Sequence, residues 1–139
     1  NVGVLVRTAE AAGCTALLLS TDSAEPYSRA AVRSTTGSIL RLPLCLCPNL
    51  PQSMARLRNE GFPIVASSAR AEELAYQANL AGRPLVLTVG NETNGITDAL
   101  RQEATHFVKL PLAPNGASSL NVTVAAGVLL YEAIRQGLL

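Results

Sequence analysis

A continuous apolar run, Cys14-Thr15-Ala16-Leu17-Leu18-Leu19-Ser20, decides the fold class of this chain. A short run without polar alternation is typical of a strand that is buried on both faces, as in a parallel sheet. A helical pattern precedes it over residues 2–12, where Asn1 can cap the helix and Gly13 suits its C′ position. The run therefore predicts a strand of an α/β fold, entered directly from a helix.

The same alternation of strand and helix continues along the chain. Further strands are predicted at residues 39–47, 62–67, 85–89 and 106–110. Further helices are predicted at residues 26–33, 71–78, 97–103 and 120–136, and one more runs to Glu60 after a turn bracketed by Pro48 and Pro51. Such regular alternation predicts an α/β fold, a mostly parallel sheet with helices on both faces.

Composition limits the classes of protein that fit. The chain has 139 residues, of which 48% are hydrophobic and 15% charged, so it is one domain's length and neither disordered nor a coiled coil. A net charge of +1 gives no sign of a surface that coats nucleic acid. No apolar stretch reaches membrane-spanning length and no signal peptide is visible, so a soluble, cytoplasmic protein without membrane contact is expected. The start at Asn1, inside a helical pattern, suggests a natural N-terminus further upstream.

Metal chemistry is not expected from the cysteines. Cys45 and Cys47 alternate with leucine in a predicted strand and are interpreted as thiols buried on one face. His106 is the only histidine, and two further ligands are not found near the cysteines. We therefore predict no metal site.

Ligands of open parallel sheets bind beyond the carboxyl ends of the strands. Three polar loops follow predicted strands there, at residues 21–25, 90–95 and 111–119. The second is neither a dinucleotide-binding loop nor a P-loop, but Gly90 permits a close backbone approach and Gly95 permits a positive φ. Glu92 between them is either an ordinary solvated acid or a site residue.

Three other polar positions also allow either a structural or a functional interpretation. Ser119 precedes the last helix, where hydroxyl groups are usually caps, whereas Asn121 is expected one residue inside it, where a buried amide needs partners. Arg7 lies on the apolar first helix and is either a snorkelling side chain, a paired one or a functional one. None of these signals is specific alone.

Together the loops resemble three motifs of a known family. Asn1-Val2-Gly3 with Arg7-Thr8-Ala9 and Gly13 resembles motif one of the SpoU family of RNA ribose 2′-O-methyltransferases, within the SPOUT superfamily. The stretch that resembles motif two is Val89-Gly90-Asn91-Glu92-Thr93-Asn94-Gly95-Ile96. Motif three is resembled by Leu110-Pro111-Leu112 and Ser119-Leu120-Asn121-Val122-Thr123-Val124-Ala125-Ala126.

The resemblance covers essentially the whole chain in the order of the family, with departures. Leu112 stands where the family usually has methionine, and residues 111–119 are one residue longer than usual. The family's first strand and any N-terminal RNA-recognition extension are absent from residues 1–139. The resemblance implies a SpoU-type methyltransferase catalytic domain over residues 1–139, with a C-terminal deep trefoil knot that sequence pattern alone would not suggest.

The resemblance also implies a chemistry and a set of site residues. S-adenosylmethionine is the methyl donor, without a metal, and the acceptor is a ribose 2′-hydroxyl of ribosomal or transfer RNA. The residues implied for donor binding are Gly90, Asn91, Leu110, Leu112 and Leu120. Those implied for catalysis are Arg7, Asn1, Glu92, Ser119 and Asn121, and those for RNA binding are Arg7, Arg29 and Arg33. Because a guanidinium does not normally deprotonate in proteins, we expect Arg7 to stabilise an alkoxide and phosphate rather than act as a base.

A homodimer through the last helix is implied by the family and also expected from the residues. That helix is apolar on nearly every side, so it must be covered on every side, either by a second copy or wholly by its own sheet. Two other functions compete with methyl transfer: an RNA- or protein-binding module on the same fold without catalysis, and a doubly wound oxidoreductase. The second is least favoured, because no Gly-x-Gly-x-x-Gly follows a strand.

Overall fold

This computed structural model describes residues 1–81 and 84–138, and the chain divides into two compact units, Asn1–Leu50 and Pro51–Leu139. The described strands form a two-stranded sheet and a four-stranded sheet. Every pair of neighbouring strands in them is parallel, which confirms the predicted sheet type. The sequence predicted one sheet, whereas the strands are observed in two.

The first unit contains two helices, a 3₁₀ turn and two strands. In chain order these are α1 Val2–Ala11, β1 Leu17–Ser20, α2 Arg29–Ser34, the 3₁₀ turn Ser38–Leu40 and β2 Leu44–Cys47. β1 and β2 pair from Leu17↔Leu44 to Ser20↔Cys47. The core forms around Val6, Ala9 and Leu42. The helix and strand predicted from residues 2–20 are confirmed, and Gly13 follows α1 with a φ of +78°.

Helix α1 packs closely on α2 at Gly3. A Cβ atom at this position would collide with the side chain of Ser34 and the carbonyl oxygen of Ala31. The absence of a side chain at residue 3 therefore sets the distance between the two helices of the first unit.

The predicted strand at residues 39–47 is half wrong. Gly37 has a φ of +92° and leads into the 3₁₀ turn, and pairing with β1 begins only after Pro43, which has no N–H to donate. Cys47 is buried as expected, but Cys45 is exposed, so the prediction of two buried thiols fails for Cys45.

The second unit contains three helices and a four-stranded sheet of order β4-β6-β3-β5. Its elements are α3 Leu50–Asn59, β3 Ile64–Ser67, β4 Glu73–Leu74, β5 Val86–Thr88, α4 Asp98–Glu103, β6 His106–Lys109 and α5 Val122–Ala133. Its core is built from Val65, Leu80, Val108 and Leu129, together with three alanines. All of the predicted elements are present except one.

The exception is the helix predicted at residues 71–78, where the structure has the short edge strand β4. Ala71, Ala75 and Ala78 are all buried, and their helical spacing produced the wrong prediction. The backbone prefers the sheet edge, since the Ala75 N–H donates to the carbonyl oxygen of Lys109 at 2.9 Å. The chain then turns after Leu74.

Helix α5 begins two residues later than predicted, at Val122, and a π-helical turn Ile134–Leu138 follows it. One face, including Ala126 and Leu129, is buried, but the opposite face is not. Val124 and Tyr131 on that face are 51% and 52% exposed within the chain. Over the described residues, no helix has both the length and the apolar character needed to cross a bilayer.

Candidate active site

Two of the predicted loops follow strands of the second unit's sheet at the same end of that sheet. β5 and β6 both pair in parallel with β3, one on each side of it. Their carboxyl ends therefore lie at the same end of the sheet. Residues 90–95 follow β5, and residues 110–121 follow β6. The third loop, residues 21–25, follows β1 in the first unit.

The loop at residues 90–95 is a compact turn held by hydrogen bonds to the side chain and the backbone carbonyl oxygen of Asn91. The Asn91 side-chain oxygen accepts hydrogen bonds from the N–H groups of Thr93 and Asn94, at 3.0 and 2.6 Å. A Cβ atom at Gly90 would collide with the backbone of Gly95, where φ is +66°. The loop itself thus requires glycine at position 90, in addition to any close approach by a ligand.

The loop at residues 110–121 presents apolar side chains to solvent. Leu112 and Leu120 are 39% and 38% exposed, whereas Leu110 packs partly against the core of the second unit. A turn closes between them, since the Gly116 N–H donates to the Ala113 carbonyl oxygen at 3.1 Å and Asn115 has a φ of +60°. The loop therefore exposes two leucines at a polar edge.

A side-chain hydrogen bond joins the two loops. The Asn121 Nδ2 donates to Glu92 Oε1 at 2.7 Å. Asn121 is exposed at the N-cap of α5 and not inside the helix, so the expectation of a buried amide is wrong. Its oxygen accepts from both the backbone N–H and the hydroxyl of Thr123, at 2.9 and 2.5 Å. Ser119 is exposed in the same loop.

Thr123 is the residue of this network that the sequence analysis missed. It is buried, and its hydroxyl donates to the side-chain oxygen of Asn121. The signal was present, because Asn121 and Thr123 are spaced as an N-cap and the second residue of a helix. This spacing was overlooked because the helix was expected to start at residue 120, which places Asn121 inside the helix and not at its N-cap.

The other predicted site residues lie in the first unit. Asn1 occupies the N-cap position of α1, although its side chain does not cap the helix. Arg7 is exposed on α1 and has neither a hydrogen bond nor an ion pair within the part of the chain that the structure describes. Arg29 and Arg33 are exposed one helical turn apart on α2 and line an open groove with Ser34. Arg7 is therefore available to an external anion, and the α2 pair forms a small basic patch.

An ion pair fixes the end of α1 that follows Arg7. Glu10 accepts hydrogen bonds from the Arg41 guanidinium at 2.5 Å and from the Ser38 hydroxyl at 2.6 Å. These hydrogen bonds lower the pKa of Glu10 to about 2, and the bond from Arg41 has a larger effect than the bond from Ser38. These contacts join α1 to the 3₁₀ turn. No group of three or more metal-ligating side chains occurs within residues 1–81 and 84–138.

Comparison with known proteins gives this arrangement a family. The family model described as the SpoU rRNA methylase family matches residues 1–131. The chain belongs to the SpoU rRNA methylase family.

Its relatives agree with that assignment. This SpoU family chain is 38% identical to the 23S rRNA (guanosine-2′-O-)-methyltransferase RlmB of Pseudomonas putida, over 98% of the chain and 54% of that protein. It is 34% identical to the RlmB of Escherichia coli K12, over 98% of the chain and 55% of that protein. The chain thus spans about half the length of these curated relatives.

Solved structures share the fold. The SpoU methyltransferase AviRb from Streptomyces viridochromogenes, in complex with the cofactor AdoMet, matches with a TM-score of 0.89 and 31% identity. The match covers 97% of this SpoU family chain and 55% of AviRb. A crystal structure of an RNA 2′-O ribose methyltransferase matches with a TM-score of 0.86 and 34% identity, over 97% of the chain and 51% of that protein.

Proposed function

We propose that the protein transfers a methyl group from S-adenosylmethionine to a ribose 2′-hydroxyl of ribosomal RNA. The observation that carries this proposal is the hydrogen bond from Asn121 to Glu92, which joins the loops of motifs two and three. The curated relatives, named as 23S rRNA 2′-O-methyltransferases, support ribosomal RNA as the substrate class. Transfer RNA stays a second substrate to be tested.

The donor is proposed to bind between the loops at residues 90–95 and 110–121. Leu112 and Leu120 offer apolar surface to the adenine, and the backbone around Gly90 and Asn91 offers hydrogen-bonding groups. Leu110 contributes from the core side, since it packs partly against the second unit's core. These residues fit a ligand with one flat apolar part and several polar ones. S-adenosylmethionine supplies an electrophilic methyl group on a sulfonium, whose positive charge makes that group reactive.

The chain's own residues have to manage the charge that develops on the ribose oxygen. In the transfer an O–CH₃ bond forms, the S–CH₃ bond breaks to leave the neutral thioether S-adenosylhomocysteine, and the hydroxyl proton passes to solvent water. Arg7 is proposed to stabilise the developing alkoxide and the neighbouring phosphate, because its guanidinium stays protonated and has no partner within the described residues. Glu92 and Asn121 hold the loops in register, while Ser119 and Asn1 are proposed to orient the acceptor.

RNA is proposed to contact the first unit through Arg7, Arg29 and Arg33. Two guanidinium groups one turn apart on α2 suit the spacing of successive phosphates, which basic side chains bind without reading sequence. A net charge of +1 does not oppose this, because phosphate binding needs only a local cluster.

The family's C-terminal trefoil knot and a homodimer complete the proposal. Strong structural similarity to SpoU methyltransferases, over 97% of the chain, supports the knot. The exposed face of α5, with Val124 and Tyr131 about half exposed and Val128 partly buried between them, supports dimerisation through this helix.

In vitro methylation with labelled S-adenosylmethionine tests the function. The intact protein is incubated with ribosomal and transfer RNA that lack modification, and 2′-O-methyl positions are then mapped. We expect labelling at a defined ribose of ribosomal RNA. Binding of the donor without labelling of either RNA would instead support a binding module without catalysis. Absence of donor binding would contradict the proposal as a whole.

A further inference from the structure

Thr123 lies in the stretch that resembles motif three, but the sequence analysis predicted no role for it. It lies in the first turn of α5, two residues after Asn121, with 9% of its surface exposed. Its hydroxyl donates to Asn121 Oδ1 at 2.5 Å, beside the bond of 2.9 Å from its own backbone N–H. Two donors thus converge on one side-chain oxygen.

This convergence fixes the orientation of the Asn121 amide. The oxygen and nitrogen of an amide side chain are nearly the same size, so only hydrogen bonds decide which way it faces. A reversed amide would place its NH₂ group against the Thr123 backbone N–H and its oxygen against the Glu92 carboxylate, and would turn the Thr123 hydroxyl from donor into acceptor. The observed orientation instead directs Nδ2 to Glu92 Oε1 at 2.7 Å.

The hydroxyl adds something that the helix cap does not need. A backbone N–H from the second residue of a helix already satisfies the oxygen of an ordinary N-cap asparagine. The hydroxyl adds a second hydrogen bond to this oxygen, and reversal of the amide would break that bond and force the hydroxyl to rotate and accept from the NH₂ group instead. The amide is therefore held more firmly than capping of α5 requires.

We propose that Thr123 is a positioning residue for methyl transfer. It locks the Asn121 amide and thereby holds Glu92, in the loop at residues 90–95, against the loop at residues 110–121. This inference rests on the proposed methyltransferase function. Thr123 acts through Asn121, and its own side chain is not proposed to touch the donor or the RNA. Its loss should lower the rate of transfer more than the affinity for either substrate.

Three variants separate positioning from folding. Thr123→Val keeps the shape and the backbone N–H but removes the hydroxyl, whereas Thr123→Ser keeps the hydroxyl. Thr105→Val is the matched control. The Thr105 hydroxyl likewise donates one hydrogen bond, to the Ile64 carbonyl oxygen at 3.0 Å, but it lies just before β6, at the opposite end of that strand from residues 110–121.

Single-turnover methylation, donor titration and thermal melting are measured on all three. In Thr123→Val we expect turnover to fall about tenfold, the loss typical of one hydrogen bond, with donor Kd and RNA KM changed less than about twofold. Thr123→Ser should restore most of the turnover. Thr105→Val should lower the melting temperature without lowering turnover. Wild-type turnover in Thr123→Val, or an equal loss in Thr105→Val, would overturn the proposal.

Hydrogen exchange of the Asn121 side-chain amide, followed by NMR, tests the contact without any activity. The Nδ2 protons should exchange faster in Thr123→Val than in the wild type and at the wild-type rate in Thr123→Ser. If the wild type methylates no RNA, the proposed function fails while this measurement still decides whether Thr123 holds the amide. Unchanged exchange in Thr123→Val would show that it does not.

Discussion

Arg7 is the residue at which a structural and a catalytic role differ most clearly. It is exposed, and its side chain has no hydrogen bond or ion pair in the described part of the chain, so its replacement removes neither. Arg7→Lys keeps the charge but not the planar fork that binds alkoxide and phosphate together. We expect turnover to fall about hundredfold, about 2.7 kcal/mol of transition-state stabilisation, with little change in donor affinity or melting temperature.

Single-turnover methylation beside donor titration measures this. Arg56→Lys is the matched control, because Arg56 is also exposed on a ten-residue helix, α3, and has no proposed role. An Arg7→Lys enzyme as fast as the wild type would contradict the electrostatic role. Parallel loss of donor binding and turnover would show instead that Arg7 organises the donor site.

Asn121 and Glu92 permit a test by exchange of donor and acceptor. Asn121→Asp keeps an oxygen to cap α5 but places a carboxylate 2.7 Å from Glu92 Oε1, so the two loops should separate and donor affinity should fall. Adding Glu92→Gln supplies an amide donor from the other side. We expect the double variant to regain donor affinity, with a coupling energy of about 0.5–3 kcal/mol in a double-mutant cycle.

Calorimetric titration of the donor on the four proteins gives that energy. Glu92→Gln alone should be the milder single change, because it introduces no second negative charge. Additive effects of the two substitutions would mean that the loops do not depend on this bond.

Among the elements, α1 is tied to the 3₁₀ turn by a titratable contact. The pKa of Glu10 is lowered to about 2 by the Arg41 guanidinium and then by the Ser38 hydroxyl, from 4.5 when unperturbed. A depressed carboxyl pKa stabilises the folded state above the unfolded value, and this contribution is lost as the pH falls through the folded value. The stability difference between wild type and Glu10→Gln should therefore be constant above about pH 5 and shrink towards pH 2.

Thermal melting across this pH range measures the effect, which should be small because the pair is exposed. Glu132, whose pKa is likewise lowered to about 2 by Arg135, titrates in both proteins and cancels in the difference. Glu60→Gln at the end of α3 is the control. A difference that grows towards low pH would contradict the assignment.

Element type could be predicted from the sequence where burial and local chemistry agree. The run at residues 17–20 lies between a helix end at Gly13 and a polar loop, so periodicity and turn signals give the same answer. They disagree at residues 71–78, where three buried alanines have helical spacing but the backbone pairs with β6. A strand of two residues, completed by a partner more than thirty residues away, leaves no periodic signal of its own.

The candidate site could be predicted as a set of loops but not as a set of contacts. Gly90 and Glu92 were singled out in a loop that follows a predicted strand, Asn121 was singled out at the start of an apolar helix, and the resemblance to the family's motifs joined them into one site. The bond between Glu92 and Asn121 depends on the exact residue at which α5 begins, and helix boundaries are the least certain part of a sequence pattern. Thr123 could not be recognised until that boundary was known.

At the scale of the whole molecule, the proposed dimer depends on the exposed face of α5. Tyr131→Glu and Val124→Glu place a charge at the proposed interface without disturbing the core, because both residues are about half exposed. We expect either variant to sediment as a 14.5 kDa chain where the wild type sediments at twice that mass. Tyr76→Glu is the matched control, since Tyr76 is 48% exposed outside α5.

Leu129→Glu should behave differently from these surface variants. Leu129 is 1% exposed in the core of the second unit, so a buried unpaired charge should unfold that unit rather than dissociate a dimer. A wild-type protein that sediments as a single chain at micromolar concentration would contradict dimerisation. Dissociation by Tyr76→Glu would place the interface elsewhere.

The strand order of the second unit has a consequence for synthesis on the ribosome. β6 is the last strand of this sheet to be translated, yet it lies between β3 and β4, which are made earlier. β3 can pair with β5 while the chain is still growing, but β4 has no neighbour until residues 106–109 have emerged. The side of β3 that pairs with β6 must therefore stay unpaired until β6 has been translated. Any partner that occupies that edge in the interval, such as another nascent chain or a chaperone, competes directly with β6.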